Sequence, residues 1–138
     1  MRRFFIEAWR KARTGDPLEP LERQIADIVQ AHPEYHGLLE AGEAAEGSEF
    51  PPESGQTNPF LHLSLHLAVL EQIGTDRPPG LRAIYQRLTA AVIDRHATEH
   101  HMMECLAQSL REAQRTGRPP DEADYLTRLR RLILRTGR

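Results

Sequence analysis

Residues 58–74 read Asn58-Pro59-Phe60-Leu61-His62-Leu63-Ser64-Leu65-His66-Leu67-Ala68-Val69-Leu70-Glu71-Gln72-Ile73-Gly74, and this stretch decides the fold class. Asn58 is a preferred N-cap, and Pro59 suits the first helical position, where a missing N–H is no loss. The helix runs to about Ile73, and Gly74 supplies the stop. Between these signals Phe60, Leu61, Leu63, Leu65, Leu67, Val69, Leu70 and Ile73 cover most sides of the helix. A helix apolar all round is largely buried. His62 and His66 continue into Val69 and Ile73 along one stripe, so both imidazoles are expected inside. A four-residue step advances about 40° around the axis and roughly 6 Å along it, which lets the pair address one object.

Similar punctuation organises the chain on either side. Downstream, Asp76-Arg77-Pro78-Pro79-Gly80 is a turn, and a long helix follows from about Leu81 to Thr116, with Gly117 closing it. A last helix opens after Pro119-Pro120 with Asp121 as cap and runs to about Leu134, its basic end suiting the helix dipole. Upstream, residues 41–57 hold Gly42, Gly47, Pro51, Pro52 and Gly55 among glutamates and read as a long acidic loop. A helix starting around Pro17 to Pro20 places Leu21, Ile25 and Ile28 on one face, with His32 as the next position of that stripe. Pro33 either ends this helix or opens a further turn. A short first helix carries Phe5, Trp9 and Ala12 and stops near Thr14-Gly15-Asp16-Pro17. No strand-like alternation and no internal repeat is present. The expected fold is all-α: one single-domain bundle over residues 1–138, with four main helices plus a short N-terminal helix.

Composition narrows the function classes. With 138 residues, 39% hydrophobic and 28% charged, the chain falls among soluble globular domains able to bury a core. No apolar run approaches the ~20 residues that span a bilayer. Glu7 and Arg10 interrupt the N-terminal apolar stretch, so no signal peptide is expected there. A single cysteine, Cys105, points to a reducing cytoplasm. The net charge of −2 argues against nucleic-acid binding. From residue 24 to 76 there is no Lys or Arg, while Asp27, Glu34, Glu40, Glu43, Glu46, Glu49, Glu53, Glu71 and Asp76 lie there. This is a solvated acidic face or a field that favours cations.

All seven histidines fall in three clusters, His32-Pro-Glu-Tyr-His36, His62-Leu-Ser-Leu-His66 and His96-Ala-Thr-Glu-His100-His101-Met-Met-Glu104, each with an i,i+4 pair. On the long helix the core stripe reads Tyr85, Leu88, Val92, His96, Glu99, Met103, Leu106, Leu110. His100 is four residues beyond His96, and Glu104 four beyond His100. A buried polar group without a partner costs about 1–3 kcal/mol, so several such groups on converging faces need common partners. Hydrogen-bonded histidine networks are one solution; a shared metal ion is the other. The candidate ligands are His32, His36, His62, His66, His96, His100 and Glu104, with Glu71, Glu99 and Glu34 behind them. Glu71 is turned about 140° from His66. Histidine with carboxylate suits iron, zinc, manganese or nickel. Six imidazoles exceed one tetrahedral site, so two ions bridged by carboxylates use them better. His101 and Cys105 form a further i,i+4 pair near Met102 and Met103, either a soft copper(I) or zinc site or ordinary core filling. No nucleophile turn and no glycine-rich phosphate loop appears.

These residues resemble hemerythrin-like proteins, four-helix bundles with two non-haem irons whose motifs include H-x-x-x-E, H-x-x-x-H and H-x-x-x-x-D. His100/Glu104 looks like the first, His62/His66 like the second, and His66/Glu71 is a glutamate version of the third. The final helix contains no histidine. Over nearly the full length, the phrases His-Pro-Glu-Tyr-His, Asn-Pro-Phe-Leu-His-Leu-Ser-Leu-His-Leu-Ala-Val-Leu-Glu-Gln and Met-Glu-Cys-Leu resemble domain of unknown function 1841. The hemerythrin resemblance implies iron and a small-molecule partner such as oxygen or peroxide, or redox sensing. Two other functions stay open. One is a mononuclear metal hydrolase or transferase with three histidines, a bound water, and Glu99 or Glu104 as general base. The other is a non-enzymatic module in which an ion or a histidine network fixes the fold.

Overall fold

The computed structural model describes residues 2–42, 58–91 and 94–136. Among them the fold is all-α, with no strand. The chain divides into two compact units, Met1–Leu67 and Ala68–Arg138. Among the described residues, no helix is long and apolar enough to cross a membrane.

In the first unit, helix α1 (Arg2–Thr14) packs against α2 (Pro20–Gln30) and against α3 (His36–Glu40), and a 3-10 turn, Pro33–Tyr35, joins the last two. The helical start of α2 is sealed locally: the Glu19 N–H donates to Glu22 Oε1 at 2.9 Å. The other oxygen of this buried Glu22 takes a 2.8 Å hydrogen bond from Lys11 Nζ on α1. That bond, and then the Glu19 N–H, hold the Glu22 carboxyl below the usual carboxylate range. Phe5, Ala8, Trp9, Ile25, Ile28, Val29 and Leu39 form the core of this helical corner. Pro33 both stops α2 and opens the next turn, because proline fits an N1 position but not a helix interior.

Helix α4 (Pro59–Thr75) begins as the sequence indicates. Asn58 Oδ1 accepts from the N–H groups of Phe60 and Leu61 at 3.0 and 3.2 Å. It runs one residue past Gly74, and Thr75 Oγ1 turns back to the Glu71 carbonyl at 2.7 Å. Its first turns belong to the first unit and the remainder to the second.

The second unit adds α5 (Leu81–Ala91), α6 (Arg95–Thr116) and α7 (Glu122–Thr136), with α7 against both others. Leu81, Ile84, Leu88, Met102, Met103, Tyr125 and Leu129 are its buried centre. The expected single helix over 81–116 is corrected here to two. Asp94 has an extended backbone and its side chain accepts from the Ala97 N–H at 3.1 Å, so it starts a new helix. A short acid that bonds its own backbone competes with helix continuation at that point. Val92, which the sequence placed on the stripe, lies outside the described residues, and Leu110 at the stripe's far end is exposed. Gly117 ends α6 at φ 69°, a left-handed conformation that glycine adopts without a Cβ penalty. Asp121 Oδ1 caps α7 through the Asp124 N–H at 3.1 Å. Of the acidic loop, residues 43–57 lie outside the described residues.

Candidate metal centre

The first unit brings three histidines from two segments together. His62 and His66 project from successive turns of α4, and His32 arrives from the junction after α2. His32 has left the helical stripe that the sequence assigned to it, with φ −124° and ψ 70°, yet it is fully buried. What holds it there is the end of α2. The last carbonyls of a helix lack intrahelical donors, and His32 Nδ1 lies 2.7 Å from the carbonyl of Ile28. A carbonyl only accepts, so Nδ1 carries the proton. The Nε2 lone pair of neutral His32 is thereby directed away from the helix.

That Nε2 lies 3.1 Å from Nε2 of His62. The His32 ring centroid is 4.9 Å from that of His62 and 5.2 Å from that of His66, both edge-on. One ring nitrogen from each of the three lies within 4.8 Å of the others. His32 and His66 are buried and His62 is half-buried. The three are close enough together to hold a metal ion. Two imidazole nitrogens bound at about 2.0–2.1 Å to a tetrahedral ion stand roughly 3.4 Å apart, near the separation of His32 from His62. The Nδ1–H bond to Ile28 is the kind of outer contact that fixes the tautomer and plane of a ligating histidine. Without an ion, a His62 Nε2–H donated to His32 Nε2 satisfies the same 3.1 Å contact.

His36, expected among the ligands, is used differently. Its Nε2–H donates to the carbonyl of Val29 at 2.8 Å, and its ring lies against Trp9, centroids 4.5 Å apart and tilted by 32°. It caps α2 alongside His32. Glu34 is exposed on the 3-10 turn, and so is Glu71 on α4.

In the second unit, His96 and His100 on α6 are half-buried with ring centroids 4.1 Å apart at 58°. Glu99 Oε2 accepts from the Tyr85 hydroxyl of α5 at 2.9 Å. Burial, and then that bond to Glu99, push the Tyr85 phenol up to about 12. Glu104 and His101 are exposed. The geometry of a straight helix explains Glu104: two four-residue steps turn it about 80° from His96, out of the shared face. Cys105 is buried beside a cavity of about 130 Å³ that Arg128 and Arg131 also line. Two guanidinium groups there disfavour a cation.

Sequence reasoning missed three parts of the site. Tyr35 stacks on His32 with centroids 5.5 Å apart and planes 6° from parallel, and meets His62 at 5.7 Å and 70°. The carbonyls of Ile28 and Val29 anchor two histidines. Pro33, quoted for its effect on the helix, was the available signal, since it frees the preceding residues from the α2 register.

One protein-family model matches residues 1–131, and its description is Domain of unknown function (DUF1841). No curated protein matches the chain, and no solved structure does.

Proposed function

We propose that this chain, which belongs to the DUF1841 family, binds a transition-metal ion with His32, His62 and His66 among its ligands. The observation that carries the reading is the convergence of three ring nitrogens within 4.8 Å, one of them with its tautomer set by a helix-end carbonyl. Structural zinc sites close with four protein ligands, and three imidazoles supply three of them. Imidazole donors suit zinc, iron, copper and nickel. An ion with an open position lowers the pKa of a bound water or receives oxygen or peroxide.

In our reading the mononuclear site stands ahead of the hemerythrin-like di-iron one. Carboxylate bridges define the latter, and Glu34, Glu71 and Glu104 are exposed while Glu99 is engaged by Tyr85. Iron keeps its place as the metal for a redox role, zinc for a hydrolytic one. The lone Cys105 and the net charge of −2 support a reducing compartment and no nucleic-acid partner as parts of this proposal.

The test is elemental analysis and an absorption spectrum of protein purified without a histidine tag. One ion per chain, released by a chelator with a fall in melting temperature, is the expected result. Two irons per chain with oxo-bridge charge-transfer bands restore the dinuclear reading. Protein that carries no metal, and whose melting temperature is unmoved by zinc, iron, cobalt, copper or nickel, refutes both. The other sequence-proposed ligands, His36, His96, His100 and Glu104, are tested singly in the same assay as alanine variants.

A further inference from the structure

We infer that Tyr35 is a positioning residue of the histidine site, its aromatic ring holding the His32 and His62 imidazoles in their ligating planes. This rests on the metal reading above and adds a residue to it. The Nδ1–H bond of His32 to the Ile28 carbonyl fixes one edge of the ring, and its Nε2 lies 3.1 Å from Nε2 of His62. A contact on the ring face constrains the plane further. Tyr35 supplies it, lying almost parallel to His32, 6° between planes at a centroid distance of 5.5 Å.

The placement is built into the turn. The Tyr35 N–H donates to the His32 carbonyl at 3.0 Å, closing the Pro33–Tyr35 turn and returning residue 35 over residue 32. Pro33 fixes φ within it. The same phenol ring meets His62 at 5.7 Å and 70°, a T-shaped contact of the kind aromatic pairs prefer. One ring therefore contacts two of the three ligands, from the segment that carries the first. A metal site loses its geometry when supporting contacts allow displacements of about 0.5 Å. An ion withdraws electron density from a bound imidazole, which strengthens its stacking on an electron-rich phenol.

The prediction separates ring from hydroxyl. Changes to outer contacts of metal ligands typically weaken binding roughly 10- to 100-fold. Tyr35→Ala is expected to weaken cobalt(II) binding by about that factor and to change the visible d–d bands of the cobalt-loaded protein. Tyr35→Phe, which keeps the ring, is expected to restore affinity to within about threefold and to restore the spectrum. Tyr35→Leu guards against simple unfolding: it fills the space without an aromatic face, and should fold with a near-normal melting temperature while still binding cobalt weakly. Wild-type protein that binds no cobalt overturns the metal reading and this inference together. Wild-type protein that binds cobalt, with Tyr35→Ala equal to it in affinity and spectrum, overturns this inference alone. A Tyr35→Phe variant as weak as Tyr35→Ala assigns the effect to the hydroxyl and also overturns it.

Discussion

His62 and His66 on α4 and His96 and His100 on α6 share the same four-residue spacing but not the same surroundings. The first pair stands apart, ring centroids 6.5 Å from each other, and a third imidazole approaches both. The rings of the second pair lie together at 4.1 Å. Within the second unit, the neighbouring carboxylate Glu99 is taken up by Tyr85. Spacing on a helix gives two side chains a common face; what gives the first pair a common target is a donor from outside the helix. The target in the first unit exists because a third donor comes from another segment and has its own anchor, the Ile28 carbonyl.

The strongest way to break this contrast is to delete one member of each pair. His66→Ala removes a buried ligand, and retention of metal through desalting is expected to be lost, with affinity down by more than roughly 100-fold. His96→Ala is expected to change affinity by less than about tenfold. Isothermal titration with zinc against a competing chelator measures both. Equal losses in the two variants would mean that α6 contributes ligands as fully as α4 does, and the contrast would collapse.

Core deletions sharpen it next. Leu63 lies between His62 and Ser64 on α4, and Leu129 lies on α7; both are fully buried. Each Leu→Ala change is expected to cost about 2–5 kcal/mol in denaturant unfolding, the range for a cavity left in a close-packed core. Metal binding should divide them. Leu63→Ala loosens the turn that presents His62 and His66, so zinc affinity falls with stability. Leu129→Ala spares affinity. A Leu63→Ala variant with wild-type affinity would show that the ligands are held independently of α4 packing.

The contrast also shows which features were legible in the sequence. Caps were, because each is chemistry between near neighbours: Asn58 at α4, Gly117 after α6 and Asp121 at α7 stand where expected. Burial of His66 was also legible, since it extends an apolar stripe, whereas His32 is buried after leaving the stripe assigned to it. The break before Arg95 was not, because Val92 and Ile93 keep the apolar period running and only the conformation of Asp94 reveals the new start. Neither was the use of His36. A histidine four residues after another is equally able to ligate an ion or to cap the preceding helix, and only the bend at Pro33 turns its Nε2 to Val29. Glu104 was placed by counting in fours, which accumulates a rotation of about 40° per step.

The smallest expected effect concerns the hydroxyl that occupies Glu99. Tyr85 is pushed up to about 12, first by burial and then by the bond to Glu99, whereas an unfolded tyrosine ionises near 10. A group whose folded pKa is raised stabilises the protein fully below its unfolded pKa, and that contribution is lost as pH rises through the folded one. Between about pH 10 and 12 the unfolded chain releases a proton that the folded chain retains, so stability falls across this window. Tyr85→Phe removes the phenol and its bond to Glu99. It should therefore lower stability modestly at neutral pH and flatten the alkaline limb of a plot of melting temperature against pH. An alkaline limb as steep as in wild type would mean that other groups set it, Tyr125 first among them, since burial raises that phenol as well. Tyr85→Phe also removes one partner of the Glu99 carboxylate, next in sequence to His100. If removing that bond raises metal affinity, Tyr85 is one of the contacts that keep Glu99 on α6 from acting as a ligand.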